Sequence, residues 1–318
     1  MTFFYKGVTL LVILLLFSFT FLNDEHISDD EYGTYDTLKL SQLEYMVSDS
    51  VLAEAMCLDA ADSFSATGFT ALKGITTFRG GPFRDRASVG LLEKRPDSMV
   101  VRWATRTKPT GSWGGGAGWT GQPVVVQWPD SLLLKMNVAE EFKVKNLFTE
   151  VIVGSLDGHI YFLDLSTGLH SRNPIDIKNP IKGSVAVDPR GLPILYAGQG
   201  INVEKEFGFR IFSLMDQRLL HFINGRDPFA LRKWAAFDGA ALINPKNDRM
   251  ILGGENGLIY NVKLNTRLDS ASRCMVVAPQ ELKYHYSTGP AHQQGIENSV
   301  AAFQNKIYFA VDDGYIQS

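Results

Sequence analysis

Two tryptophans set in a glycine-rich run, Gly111-Ser112-Trp113-Gly114-Gly115-Gly116-Ala117-Gly118-Trp119, are the side chains in this sequence best suited to hold a flat ligand. An indole face stacks on a sugar or another planar group and glycine lets the backbone approach it; packing between sheets is the other use of the same rings. Arg79, Arg84, Asp85 and Arg86 crowd a second loop over residues 77–86. There a guanidinium can clamp a neighbouring carboxylate or receive an anion. Trp113, Trp119, Arg79 and Arg84 are accordingly the candidate ligand-binding residues. Gly116, Gly118 and Gly121 have GxGxxG spacing, but a strand-like run follows them where a dinucleotide site needs a helix. The six histidines stand singly, and His285 and His292 share a stretch without acidic companions, so no metal site is expected. Cys57 and Cys274 form no CxxC motif. They are the candidate disulfide, with two free or buried thiols as the alternative. No Ser-His-Asp set can be read from sequence order alone, and no catalytic residue is nominated.

The elements that must position these groups are constrained by composition. The chain has 318 residues, of which 45% are hydrophobic and 20% charged. A chain of this length buries about three quarters of its unfolded surface. With a formal net charge of −3 and both signs spread along the sequence, it lacks the basic face that nucleic acid requires, and no nucleic-acid partner is expected. Lys6 precedes an uncharged run at residues 7–22, and Asp24, Glu25, Asp29, Asp30 and Glu31 follow. That asymmetry predicts an apolar helix with its start in the cytoplasm and the remainder outside. Two readings stay open for residues 1–22, an uncleaved membrane anchor or a cleaved signal peptide, with Ser18-Phe19-Thr20 making a poor cleavage site. Residues 23–74 read as an acidic tether. Within 38–61 the apolar positions Leu40, Leu43, Met46, Val47, Leu52, Ala55 and Met56 predict an amphipathic helix.

From residue 120 the chain repeats itself. A small or polar pair leads into an apolar strand at Gly121-Gln122, Gly183-Ser184, Gly239-Ala240 and Asn298-Ser299. A second strand follows in each copy and ends in a turn, at Asp157-Gly158, Gln199-Gly200, Asn256-Gly257 and Asp313-Gly314, before a third strand. Asp-Gly and Asn-Gly between β-rich runs predict two-residue type I′ hairpins, in which both central residues take positive φ. On that reading Gly158 is more constrained than Gly168. Asp188-Pro189-Arg190-Gly191 and Asn244-Pro245-Lys246-Asn247 predict type I turns between first and second strands. Consecutive antiparallel strands at this period predict an all-β fold, a β-propeller of four-stranded blades spanning residues 75–318. The sequence stops at Tyr315-Ile316-Gln317-Ser318, partway through a copy. This predicts an open arc of about four blades from a larger ring.

One copy carries a resemblance. The run Val151-Ile152-Val153-Gly154-Ser155-Leu156-Asp157-Gly158-His159-Ile160-Tyr161-Phe162-Leu163-Asp164-Leu165-Ser166-Thr167-Gly168 resembles the repeat of the quinoprotein-type, or pyrroloquinoline-quinone-like, propellers of exported bacterial proteins. The other copies depart from it, with Met215-Asp216-Gln217 and Leu264-Asn265-Thr266 in place of Leu-Asp-x-x-Thr-Gly. The tryptophan that docks one blade of that family on the next is absent after Gly168 and is represented upstream by Trp103. The family holds alcohol and sugar dehydrogenases that bind the quinone with calcium, and non-enzymatic scaffold propellers. The dehydrogenases place two adjacent cysteines over the cofactor, whereas Cys57 and Cys274 are far apart. The resemblance therefore implies a membrane-tethered or secreted binding or assembly scaffold acting outside the cytoplasm on a protein or carbohydrate ligand, without a cofactor. The alternative is a quinone- and calcium-dependent dehydrogenase.

Overall fold

The structure is a computed structural model describing residues 43–47, 64–65, 67–109, 115–118, 120–269, 274–286 and 290–318. The apolar run at residues 7–22, Cys57, Trp113 and Trp119 lie outside the described residues. Among the described residues no helix is long and apolar enough to cross a membrane.

The chain is all-β, built on four antiparallel sheets in chain order. Strand β1 (Leu43–Val47) comes first in sequence and joins the third sheet. The first sheet contains β2 (Lys73–Ile75), β3 (Val124–Gln127), β4 (Thr149–Gly154), β5 (His159–Asp164) and β6 (Ile175–Asp176), each beside the next. The second contains β7 (Ala186–Val187), β8 (Ile194–Gly198), β9 (Gly208–Ser213) and β10 (Leu219–Asn224). In the third, β11 (Leu242–Asn244), β12 (Arg249–Gly253) and β13 (Ile259–Lys263) are followed in sequence by a separate hairpin, β14 (Arg267–Asp269) and β15 (Cys274–Val276), before β16 (Gln280–Tyr286) completes the sheet beside β13. The fourth contains β17 (Ala301–Phe303), β18 (Lys306–Ala310) and β19 (Ile316–Gln317). Two short helices, α1 (Asp130–Leu133) and α2 (Glu140–Lys143), interrupt the first copy between β3 and β4.

Alternation along each strand stacks these sheets in series. Ile152, Ile160 and Phe162 of the first sheet pack against Val187, Leu195, Ala197 and Phe212 of the second. The intervening residues Ala186, Ile194, Tyr196 and Ile211 point the other way and pack on Ile243, Met250, Leu252 and Tyr260 of the third. Leu242, Ile251 and Ile259 in turn meet Val300, Ala302 and Val311. A period of two in side-chain direction thus gives each inner sheet two apolar faces, and β8 and β9 are buried at every residue.

The predicted type I′ hairpins are corrected. Gly158, Gly257 and Gly314 have φ of 80°, 85° and 91°, whereas Asp157, Asn256 and Asp313 keep negative φ. Gly158 N donates to Ser155 O at 3.1 Å and Ser155 N to His159 O at 2.9 Å, and the same pair of bonds closes 254–258 and 311–315. These are three-residue loops, a type I turn followed by a glycine bulge. The Asp or Asn is selected differently from the expectation: its Oδ1 accepts the N–H two residues on, from His159 at 2.9 Å, Leu258 at 3.2 Å and Tyr315 at 3.1 Å. The expected turn between β7 and β8 is present, with Gly191 N donating to Asp188 O at 3.1 Å.

The amphipathic helix expected within 38–61 is corrected as well. Leu43–Val47 is a strand, paired antiparallel with β16 from Leu43 opposite Tyr286 to Val47 opposite Leu282. Leu43, Tyr45 and Val47 also alternate, and an open sheet edge supplies backbone partners that a solvated helix does not need.

The first strands of the four sheets would leave their inner edges bare. Residues 71–84 run across all of them and cap these edges. Strand β2 pairs with β3, Ala71 N donates to Pro189 O at 2.7 Å, Val187 N to Thr76 O at 2.7 Å and Ala302 N to Pro82 O at 2.8 Å. Thr77 Oγ1 donates to Ala241 O at 3.0 Å. Buried backbone groups need such partners, so residues 71–74, the end of the expected tether, join the sheets together with residues 75–84.

Candidate functional site

The turn between second and third strands and the lead-in to the first strand meet at one end of every sheet. Within each sheet a turn N–H donates to a lead-in carbonyl: Leu156 to Gly116 at 2.7 Å, Gly200 to Pro180 at 2.9 Å, Glu255 to Ala236 at 2.9 Å and Asp312 to Gly295 at 3.0 Å. Between sheets the next lead-in residue donates backwards, Ile181 to Ser155 O at 3.0 Å, Phe237 to Gln199 O at 2.9 Å and Ile296 to Gly254 O at 3.2 Å. The residue after each of these, Lys182, Asp238 and Glu297, therefore stands in a row with one member per sheet.

This row forms a charged cluster at one end of the sheets, termed the mouth below. Lys182 Nζ lies 2.5 Å from Asp238 Oδ2 and 3.3 Å from Glu255 Oε1. All three residues are buried. Burial and the charge of Asp238 push the Glu255 carboxyl up to about 7 against the pull of Lys182. Burial likewise raises Asp238 although Lys182 opposes it. The two carboxylates hold the Lys182 ammonium above its ordinary value in spite of burial. Outward from this core, Glu297 is exposed and is also raised, by burial and by Glu255 and Asp312. Arg232 Nη1 closes the rim on Asp312 Oδ2 at 2.6 Å.

Chemically, the mouth can hold or pass a proton near neutral pH and can receive a cation at its rim. Among the described residues no group of three or more His, Cys, Asp or Glu side chains could hold a metal. The Lys182 ammonium occupies the space between Asp238 and Glu255.

Of the sequence candidates, Arg84 is buried and spent internally. Its Nε donates to Val300 O at 2.9 Å, and its Nη1 to Phe78 O at 2.8 Å and to Thr77 Oγ1 at 3.1 Å. The expected carboxylate clamp is a carbonyl clamp, and burial lowers the guanidinium to about 10. Arg79 is exposed, with φ of 51°, and its backbone N–H donates to Gln122 Oε1 at 2.8 Å. The structure does not bring its side chain to the mouth. Cys274 opens β15, opposite Asp269.

Trp103 lies against the Thr167-Gly168 turn: a Cβ on Gly168 would stand 2.5 Å from the indole, and Trp103 Nε1 donates to Leu165 O at 2.8 Å. Sequence reasoning missed Lys182, Asp238 and Glu297, and took Glu255 as an isolated turn acid. The signal of the first three is positional, a charged residue immediately before each small pair in Lys182-Gly183, Asp238-Gly239 and Glu297-Asn298. No protein-family model and no curated protein matches this chain.

Proposed function

We propose that this chain is a binding or assembly module acting outside the cytoplasm, tethered or secreted through residues 1–22, on an arc of quinoprotein-type propeller blades. The repeated junctions between consecutive sheets and the seat of Trp103 on the Thr-Gly turn support the propeller reading. The mouth carries the functional reading: four carboxyl groups, Asp238, Glu255, Glu297 and Asp312, face two cations, Lys182 and Arg232. Buried charge is costly unless it is used or fully paired. An excess of carboxylate in one cluster complements a basic side chain, so the partner is a polypeptide segment presenting lysine or arginine.

The test is fluorescence anisotropy of the full chain with labelled tetralysine and tetraglutamate peptides, beside dye reduction by a primary alcohol in the presence of pyrroloquinoline quinone and calcium. Tetralysine binds, loses affinity in high salt and in the double variant Glu297→Gln, Asp312→Asn, and no dye is reduced. Equal binding of tetraglutamate, or no binding of tetralysine, overturns the partner. Alcohol-dependent dye reduction overturns the binding role in favour of the dehydrogenase.

A further inference from the structure

A concavity lies on the first sheet, away from the mouth. Its volume is about 610 Å³, within the range of small-molecule sites. Residues 102–108 build one wall by crossing the outer part of the sheet. Arg102 Nε donates to Ser166 O at 3.1 Å, Thr105 Oγ1 to Gly168 O at 2.7 Å and Lys108 N to Asp157 Oδ2 at 2.7 Å. The opposite wall is the link between α1 and α2, pinned by Ala139 N to Ser171 O at 2.8 Å. Asn137 Nδ2 donates to Gln217 Oε1 at 2.8 Å, and Gln217 Nε2 to Asn173 O at 2.6 Å. The exposed His170 ring stands beside the buried Tyr161, their centroids 5.7 Å apart.

Its charge is one-sided. No aspartate or glutamate lines it, although the chain as a whole carries a formal net charge of −3. Arg106 and Lys108 are exposed on its wall, and among the described residues the Lys108 ammonium lies 3.3 Å from His159 Nε2. The nearby carboxylates are engaged elsewhere. Asp157 accepts the Tyr161 hydroxyl at 2.5 Å, Asp176 holds Lys178, and Glu150 takes Arg172 in a bidentate pair at 3.0 and 2.7 Å. Among the described residues, two cations without carboxylate partners thus face a space that also offers amides and the His170 ring. Amides read hydroxyl groups, ring faces take the apolar face of a sugar, and a guanidinium–ammonium pair reads a carboxylate.

We infer that this groove binds an acidic saccharide, its carboxylate between Arg106 and Lys108 and its ring over the exposed His170. The experiment is isothermal titration of the full chain with digalacturonate, cellobiose, glucose 6-phosphate and inorganic phosphate, at low salt and in about 0.5 M NaCl. Digalacturonate binds, and cellobiose is weaker by about tenfold or more. The double variant Arg106→Ala, Lys108→Ala loses about tenfold or more while keeping the wild-type circular dichroism, because both side chains are exposed. Equal binding of cellobiose, or an unchanged affinity in the double variant, overturns the inference. Tighter binding of glucose 6-phosphate overturns the uronate assignment, and inorganic phosphate matching digalacturonate shows that no sugar is read.

Discussion

Replacing Glu255 by glutamine tests the electrostatics of the mouth directly. The Glu255 carboxyl moves from an ordinary 4.5 to about 7 on folding, through burial first and Asp238 second. Between those values the folded chain binds more protons than the unfolded one, so stability falls as pH rises through the window and the full cost is present above it. At about 1.4 kcal/mol per pH unit, the interval sets a ceiling of roughly 3 kcal/mol. Glutamine keeps the shape and the donor of the protonated acid but cannot ionise, and Lys182 retains Asp238 as its partner at 2.5 Å. The Glu255→Gln variant should therefore match the wild type near pH 5 and exceed it by up to about 3 kcal/mol near pH 8. Urea unfolding followed by tryptophan fluorescence, run on both proteins across this range, gives the difference directly and cancels the titrating groups outside the cluster. A difference that stays constant, or that shrinks as pH rises, would refute the argument.

Three further substitutions probe the scaffold. Glu150→Ala strands Arg172, whose pair with Glu150 is almost fully buried, and should cost about 3–5 kcal/mol; Glu140→Ala, which loses a partner of Lys143 but is itself 85% exposed, should cost under about 0.5 kcal/mol, and equal urea midpoints would contradict the distinction. Arg84→Met leaves the carbonyls of Val300 and Phe78 without their donor and should cost about 2–4 kcal/mol, with faster amide exchange at Ala302; an unchanged midpoint would show that the clamp is dispensable. Gly168→Ala, the milder of two glycine changes by sequence, places a Cβ 2.5 Å from the Trp103 indole and should expel that ring, which a red shift in fluorescence and faster proteolysis within residues 102–108 would register; an unshifted spectrum would mean that the turn yields instead.

The repeat was legible because its markers are local. Glycine, Asx and proline at fixed offsets dictate turns wherever they occur, and the alternating runs between them became sheets buried on both faces. The turn type was less legible, because Asp-Gly serves both a two-residue loop and a glycine bulge; the negative φ of Asp157 and the bonds from Gly158 N to Ser155 O and from Ser155 N to His159 O distinguish them. The helix expected within 38–61 failed for a related reason. Residues 43–47 satisfy both periods, and the sheet edge that decides between them belongs to β16, more than two hundred residues on. The mouth was illegible as a cluster, since Lys182, Asp238, Glu255 and Glu297 meet only when sheets stack. Helices α1 and α2 were also missed: they bury little more than Leu133 and Phe142 into the first core, too few positions for a helical period to show.

Each second strand ends in a small residue, Gly154, Gly198, Gly253 or Ala310. At the first three, an added Cβ would stand 2.5 Å from Ile181, 2.1 Å from the Phe237 carbonyl and 2.5 Å from Ile296, always in the lead-in of the following sheet. The socket is therefore encoded in one copy and the plug in the next. A sheet lifted out whole and grafted elsewhere carries a plug cut for its old neighbour and a socket for a successor it no longer has. The unit that keeps each plug with its socket runs from the middle of one sheet to the middle of the next, with its boundaries in the turns between first and second strands, at 188–191 and 244–247. Duplication or engineering of this chain at those turns preserves every junction, whereas cutting between sheets breaks one at each end.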